Sequence, residues 1–151
     1  MIVKCMARKI LEKNINNFDV PTIIISIRSI GDKPPKKLFL HSNPQVKDFI
    51  TLAFDDVITY CQGYYPITEQ QARKIARFVM RYKDSRVEQI VVHCDAGISR
   101  SAGVAAAIAQ YLNGNDDDFF VRSPYHPNMT CYSKVLFALH VAELEEEDNN
   151  G

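Results

Sequence analysis

Val87-Glu88-Gln89-Ile90-Val91-Val92-His93-Cys94-Asp95-Ala96-Gly97-Ile98-Ser99-Arg100-Ser101 is the stretch that decides how this chain is read. Its first half is a short apolar run rich in β-branched residues, which predicts a buried strand over Val87–His93. The pattern then breaks at a glycine flanked by small and polar residues. An alanine-rich segment follows and closes at Asn113-Gly114, predicting a helix over about Ser99–Leu112 with a glycine stop. A strand therefore runs into a tight loop and the loop into a helix. In open α/β sheets ligands gather at the carboxyl ends of the strands, so Cys94 stands where chemistry is expected.

Working outward, Ile2–Met6 predicts a short strand and Ala7–Asn14 a helix carrying Ile10 and Leu11. Pro21 opens a second buried strand, Thr22–Ile27. Ile30–Lys37 contains Gly31, Pro34 and Pro35 and predicts a loop. Leu38–Leu40 predicts a further short strand, and Phe49–Phe54 a strand that stops at Asp55-Asp56. Tyr60–Pro66 predicts another loop. The clearest helical period lies over Thr68–Lys83: Ala72, Ile75, Ala76 and Val79 share one face, and Thr68 with Gln71 has the spacing of a capping box. Asp116–Asn128 predicts irregular structure. A last helix is expected over Thr130–Glu145, with Val135, Leu136, Leu139 and His140 on one stripe, and Glu145–Gly151 as a fraying polar tail. Strands alternating with helices give an α/β fold. The expectation is one domain over residues 1–151, with residues 1–20 its least defined part. Its core is a mainly parallel sheet of about four or five strands with helices on both faces.

The chain has 151 residues, enough for one domain with a proper core. Its 18 basic and 18 acidic residues balance, so bulk charge supports neither a nucleic-acid nor a membrane-surface partner. No apolar run approaches the roughly 20 residues of a membrane span, and Met1–Lys9 lacks the apolar core of a signal peptide. A cytoplasmic, reducing location is the resulting expectation. Composition sets no oligomeric state. The cysteines Cys5, Cys61, Cys94 and Cys131 form no CxxC pair, which argues for free thiols and against a zinc site or disulfide framework. Asp116-Asp117-Asp118 lacks the ligand spacing of a calcium loop and reads as a solvated turn. No metal and no cofactor are called for.

The loop has the parts that thiol chemistry on a phosphate needs. Thiols at helix N-termini or beside cations have pKa values of roughly 3.5–7.5 instead of about 8.5, and Cys94 directly precedes a loop and a helix start. The amides from Asp95 to Arg100, through Ala96, Gly97, Ile98 and Ser99, are able to curl around a tetrahedral oxyanion. Gly97 allows positive φ at the middle of the turn. Arg100 follows Cys94 by six positions; the residues six after Cys5, Cys61 and Cys131 are Leu11, Ile67 and Phe137. Its planar fork makes two parallel bonds to phosphate oxygens, which lysine does not. The Ser101 hydroxyl is placed to bond the sulfur when it departs.

The segment His93–Ser101 resembles the His-Cys-x5-Arg-Ser/Thr signature of the cysteine-based protein tyrosine phosphatases, and its Ala-Gly-Ile-Ser-Arg-Ser wording is most similar to the dual-specificity branch and its small bacterial and phage relatives. The resemblance implies a phosphocysteine intermediate on Cys94, phosphate held by Arg100 and the loop amides, and His93 fixing the loop by bonding backbone. It also implies a general acid, an aspartate at the end of an upstream strand. Asp55 and Asp56 are the candidates. Leu52 and Phe54 are the core-facing pair of the strand, and Asp56 is next in that phase. Asp56 is therefore the favoured acid and Asp55 the alternative, otherwise a solvated loop residue or helix cap. The chain has no tryptophan, so it lacks the Trp-Pro-Asp loop of other family members.

The expected activity is hydrolysis of phosphate monoesters on phosphotyrosine proteins, with phosphoserine and phosphothreonine as further substrates. Two alternatives share the loop. One is an RNA 5′-phosphatase or phosphoinositide phosphatase of the same fold, disfavoured because the loop carries Asp95 and no lysine. The other is a non-catalytic phosphate-binding module, disfavoured because nucleophile, arginine and hydroxyl are all present. Tyr125, His126 and Asn128 lie in a proline-bracketed loop open to two readings, a border of the pocket or, more plainly, turn and cap, with Thr130 as another cap. Tyr60, Tyr64 and Tyr65 read equally as cleft lining or loop anchors. Arg73, Lys74, Arg77 and Arg81 read as a solvated helix face.

Overall fold

The computed structural model describes residues 1–150. The β-branched runs form strands, as their burial demands: β1 (Ile2–Ala7), β2 (Thr22–Arg28), β3 (Val46–Ala53) and β4 (Gln89–Cys94). They make one all-parallel sheet in the order β1-β4-β2-β3. The two inner strands are the two most buried ones. In β4 every residue is buried, and in β2 every residue but the last. Parallel neighbours need crossovers, supplied by α1 (Arg8–Asn14), α2 (Lys37–Leu40) and α3 (Glu69–Tyr82); α4 (Arg100–Asn113), α5 (Asp117–Val121) and α6 (Met129–Asn150) follow the last strand.

Alternation along the inner strands divides the core between two faces. Ile23, Ile25, Ile27, Ile90, Val92 and Cys94 join the larger cluster with α3, α4 and α6. Ile24 and Val91 join the smaller one, under Leu11 and Ile15 from the first helical segment and Leu38 from α2. The capping box is formed: Thr68 Oγ1 accepts from Gln71 N, and Gln71 Oε1 accepts from Thr68 N. Gly114 closes α4 in the left-handed conformation, at φ 70°.

Four details differ from the sequence reading. Leu38–Leu40 lies in a short helix, not a strand; Leu38 alone of its apolar triplet is buried, and three residues carry no period that separates the two structures. β3 starts at Val46, three residues early, because an edge strand tolerates polar residues such as Asp48. The stretch Asp116–Asn128 includes α5. Finally, α6 runs on to Asn150 instead of fraying at Glu145. Acidic residues at a helix C-terminus oppose its dipole. Here Lys83 Nζ pairs with Glu146 at 3.2 Å, and Arg77 and Arg81 of α3 line the same crevice as Glu145 and Glu146. Gly151 lies outside the described residues. No helix among the described residues is long and apolar enough to cross a membrane.

Candidate active site

The parity of β4 places adjacent residues on opposite faces. Cys94 joins the large cluster and is 2% exposed. Its Sγ lies 3.1 Å from Ser101 Oγ in the first turn of α4. His93 turns the other way and is fully buried. Its Nε2 lies 2.6 Å from the hydroxyl of Ser26, its register partner on β2, and its Nδ1 lies 3.4 Å from Cys94 O. Burial pushes His93 down from 6.5 to about 4, so at neutral pH it is an uncharged ring joining two strands behind the cysteine.

The loop from Cys94 to Arg100 is tied down through its carbonyls. Asp95 O accepts from Arg8 N, Ile98 O from His126 N, and Ser99 O from both Asn128 N and Gly103 N. A planar trans peptide points its N–H opposite its C=O. Tying these carbonyls to the surroundings therefore turns the amides of Ala96, Ser99 and Arg100 toward the other side of the loop. Gly97 has φ +69°, and a Cβ there would stand 2.3 Å from Ala7 N. Only glycine lets the turn lie directly on the end of β1. A second close approach fixes the other flank: a Cβ on Gly103 would meet Asn128 O at 2.4 Å.

Arg100 reaches back across the sheet end and is 6% exposed. Its Nη1 donates to Ser29 Oγ at 3.0 Å and to Phe54 O at 2.9 Å, its Nη2 lies 3.6 Å from Asp95 Oδ2, and its buried Nε has no protein partner. An unsatisfied buried donor costs about 1–3 kcal/mol, and an oxyanion held in the loop satisfies it.

Asp55 and Asp56 have opposite environments. Asp56 is exposed, and its Oδ1 accepts from Ser99 Oγ at 2.8 Å and from Asn128 Nδ2 at 3.1 Å. It thus faces the Cys94–Arg100 loop. Asp55 is 8% exposed, so it is neither a solvated residue nor a helix cap. Its carboxylate accepts from Ile30 N and Tyr65 N and anchors two loops. Leu52 and Phe54 are buried as the two-residue period requires. The period ends there, because β3 stops at Ala53 and loop bonding takes over.

Of two further contributors, Ser29 was not visible in the sequence, and Asn128 only as a member of a loop that borders the pocket or caps the last helix. Ser29, just past β2, carries no motif. Asn128 does act as a cap, its Oδ1 accepting from Thr130 N and Cys131 N. Its Nδ2 also holds Asp56 and Val57 O, so one buried side chain joins α6 to the Asp56 loop. Proline before a helix-starting asparagine was the available signal. Tyr60, Tyr64 and Tyr65 are all more than half exposed and rim the Asp56 loop, with the Tyr60 and Tyr65 rings 5.2 Å apart.

No protein-family model matches the sequence, and no curated protein matches it. Solved structures do match. DUSP15 superposes with a TM-score of 0.61 at 15% identity, covering 97% of this chain and 92% of that one. The core catalytic domain of the PP-IP phosphatase SIW14 from S. cerevisiae gives 0.58 at 12% identity, with 99% and 91% covered. PTPMT1 in complex with PI(5)P gives 0.57 at 15%, with 94% and 91% covered. The chain has the fold of the dual-specificity-like cysteine phosphatases. In this phosphatase fold residues 1–20 are not an appendage. β1 and Arg8 brace the Cys94–Arg100 loop from one side.

Proposed function

We propose that this chain hydrolyses phosphate monoesters through a phosphocysteine, with phosphotyrosine proteins as its substrates and phosphoserine and phosphothreonine proteins as further ones. The observation that carries the reading is Arg100. A guanidinium is buried at the end of the loop that Cys94 opens, with one edge fixed by Ser29 and Phe54 O and the Nε donor unpartnered. In the first step Cys94 Sγ, as thiolate, attacks phosphorus. The P–O bond to the leaving group breaks, and Asp56 gives that oxygen its proton. In the second step Asp56, now a carboxylate, takes a proton from water. The water oxygen attacks phosphorus, the S–P bond breaks, and inorganic phosphate and the thiolate result. Ser101 Oγ donates to the departing sulfur. Arg100 and the amides of the loop stabilise the equatorial oxygens in both transition states. Neither step draws on a metal or cofactor.

SIW14 and the PTPMT1 complex bring inositol phosphates into view as substrates of the same fold. Against that reading, the residues between Cys94 and Arg100 include Asp95 and no cation. The test is turnover of an aryl phosphate without added metal. Vanadate should block it, and Cys94→Ser should abolish it while phosphate still binds. Undiminished turnover by the serine variant would remove the mechanism.

A further inference from the structure

Beside Asp56 lies a hollow of about 600 Å³ that the two chemical steps leave unused. Its apolar walls are Val57, Ile58, Pro127 and Met129, and it shares Asp56 and Ser99 with the site around Cys94. A group seated in it is therefore next to whatever Arg100 holds. Ile58 is 67% exposed and Met129 48%, an unusual investment of apolar surface at the mouth of a polar site. The hollow has a fixed frame. Thr130 Oγ1 donates to Ile58 O at 2.7 Å, and Asn128 Nδ2 to Val57 O at 3.2 Å, so both ends of its wall are tied to the start of α6.

From this we infer that the hollow is a specificity subsite for one apolar side chain of a phosphopeptide, close to the phosphorylated residue; this deepens the phosphatase reading and rests on it. Charge selects this occupant. No lysine or arginine lines the hollow. A second phosphate on a polyanionic substrate, or an acidic peptide side chain, finds no counter-charge there. A leucine or phenylalanine side chain instead removes Ile58 and Met129 from water together with itself.

The experiment is a phosphotyrosine peptide panel in which each flanking position is varied among Leu, Phe, Ala and Asp. It is run with the intact chain and with Ile58→Asp and Met129→Asp, alongside p-nitrophenyl phosphate and an inositol polyphosphate. At one flanking position Leu and Phe should exceed Asp by roughly 10-fold in kcat/KM, the scale set by burying one large apolar side chain. Both variants should erase that preference and leave nitrophenyl phosphate turnover unchanged, which also shows that they fold. A flat panel, an acidic preference, a preference that survives both variants, or faster turnover of the inositol polyphosphate than of any peptide would overturn the subsite. Loss of nitrophenyl phosphate turnover in the intact chain would instead overturn the phosphatase reading beneath it.

Discussion

The Cys94–Arg100 loop and the Asp55–Pro66 loop meet where Ser99 donates to Asp56, yet they are built on different principles. The first is clamped by backbone. Its carbonyls are bonded to α1, to the segment before α6 and to α4, and its glycine is pressed on β1. The second has one backbone bond back to its own far end, Asp55 N to Tyr65 O, and one isolated bridge, Cys61 with Tyr64. Side chains hold the rest of it: the Asp55 carboxylate, Asn128 and Thr130. A phosphate cradle has to be rigid before substrate arrives, because preorganised donors lose no free energy to reorientation in the transition state. A group that must deliver a proton and then accept one is served by a side-chain tether that tolerates small displacements. Rigidity is concentrated around Cys94 and declines toward Asp56.

The largest effect should come from the rigid side. Arg100→Lys keeps the charge but loses the fork that Ser29 and Phe54 O fix and, with it, the unpartnered Nε donor. A fall of about 10²–10³ in kcat is expected, the scale of losing a preorganised transition-state donor. Near-normal kinetics would mean that Arg100 does not hold phosphate.

Next comes the tethered side, where the two aspartates separate. Asp56→Asn should slow phenyl or alkyl phosphate by about 10²-fold and nitrophenyl phosphate far less, since a good leaving group needs little protonation. It should also remove the basic limb of the pH profile. Asp55→Asn should lower thermal stability and slow both substrates by a similar, smaller factor, because it loosens the loop without touching the proton. A steep leaving-group dependence in Asp55→Asn alone would exchange the two roles.

The last effect falls on stability instead of turnover and concerns the brace behind Cys94. Burial lowers His93 from 6.5 to about 4, so between those values the unfolded chain binds a proton that the folded one refuses. Stability therefore falls as pH drops through that window, by on the order of 3 kcal/mol if the shift acts alone. Urea titrations from pH 7 to pH 4 should show this slope, and His93→Asn should flatten it. An equal slope in the variant would place the proton uptake elsewhere.

Much of the rigid half was legible in the chain. The β-branched runs Thr22–Ile27 and Val87–His93 are the two inner strands, displaced only at their ends. The spacing Cys94, Gly97, Arg100, Ser101 states the geometry of a strand–loop–helix turn, because each of those residue types has a local reason to be there. The tethered half was harder to read, since its bonds span long sequence distances. Nothing near Ser29 signals Arg100, and nothing near Asn128 signals Asp56. Asp56 meets the loop through its bonds to Ser99 and Asn128, beyond the end of β3, where strand alternation no longer applies. Asp55 shows the limit of that reasoning: it follows the end of β3, where pairing no longer dictates direction, and its burial is set by amides from Ile30 and Tyr65. The short helix Lys37–Leu40 was missed because its three apolar residues fit a strand as well.

The central claim is that phosphoryl transfer passes through the Cys94 sulfur. Turnover of a phosphotyrosine peptide quenched in acid during the steady state, followed by proteolysis and mass spectrometry, tests it directly. A phosphoryl adduct is expected on the peptide containing Cys94, absent from Cys94→Ser and accumulating in a variant slowed in the second step, such as Asp56→Asn assayed with nitrophenyl phosphate. Full turnover with no adduct on Cys94 at any quench time, or an adduct on another residue that persists in Cys94→Ser, would contradict it.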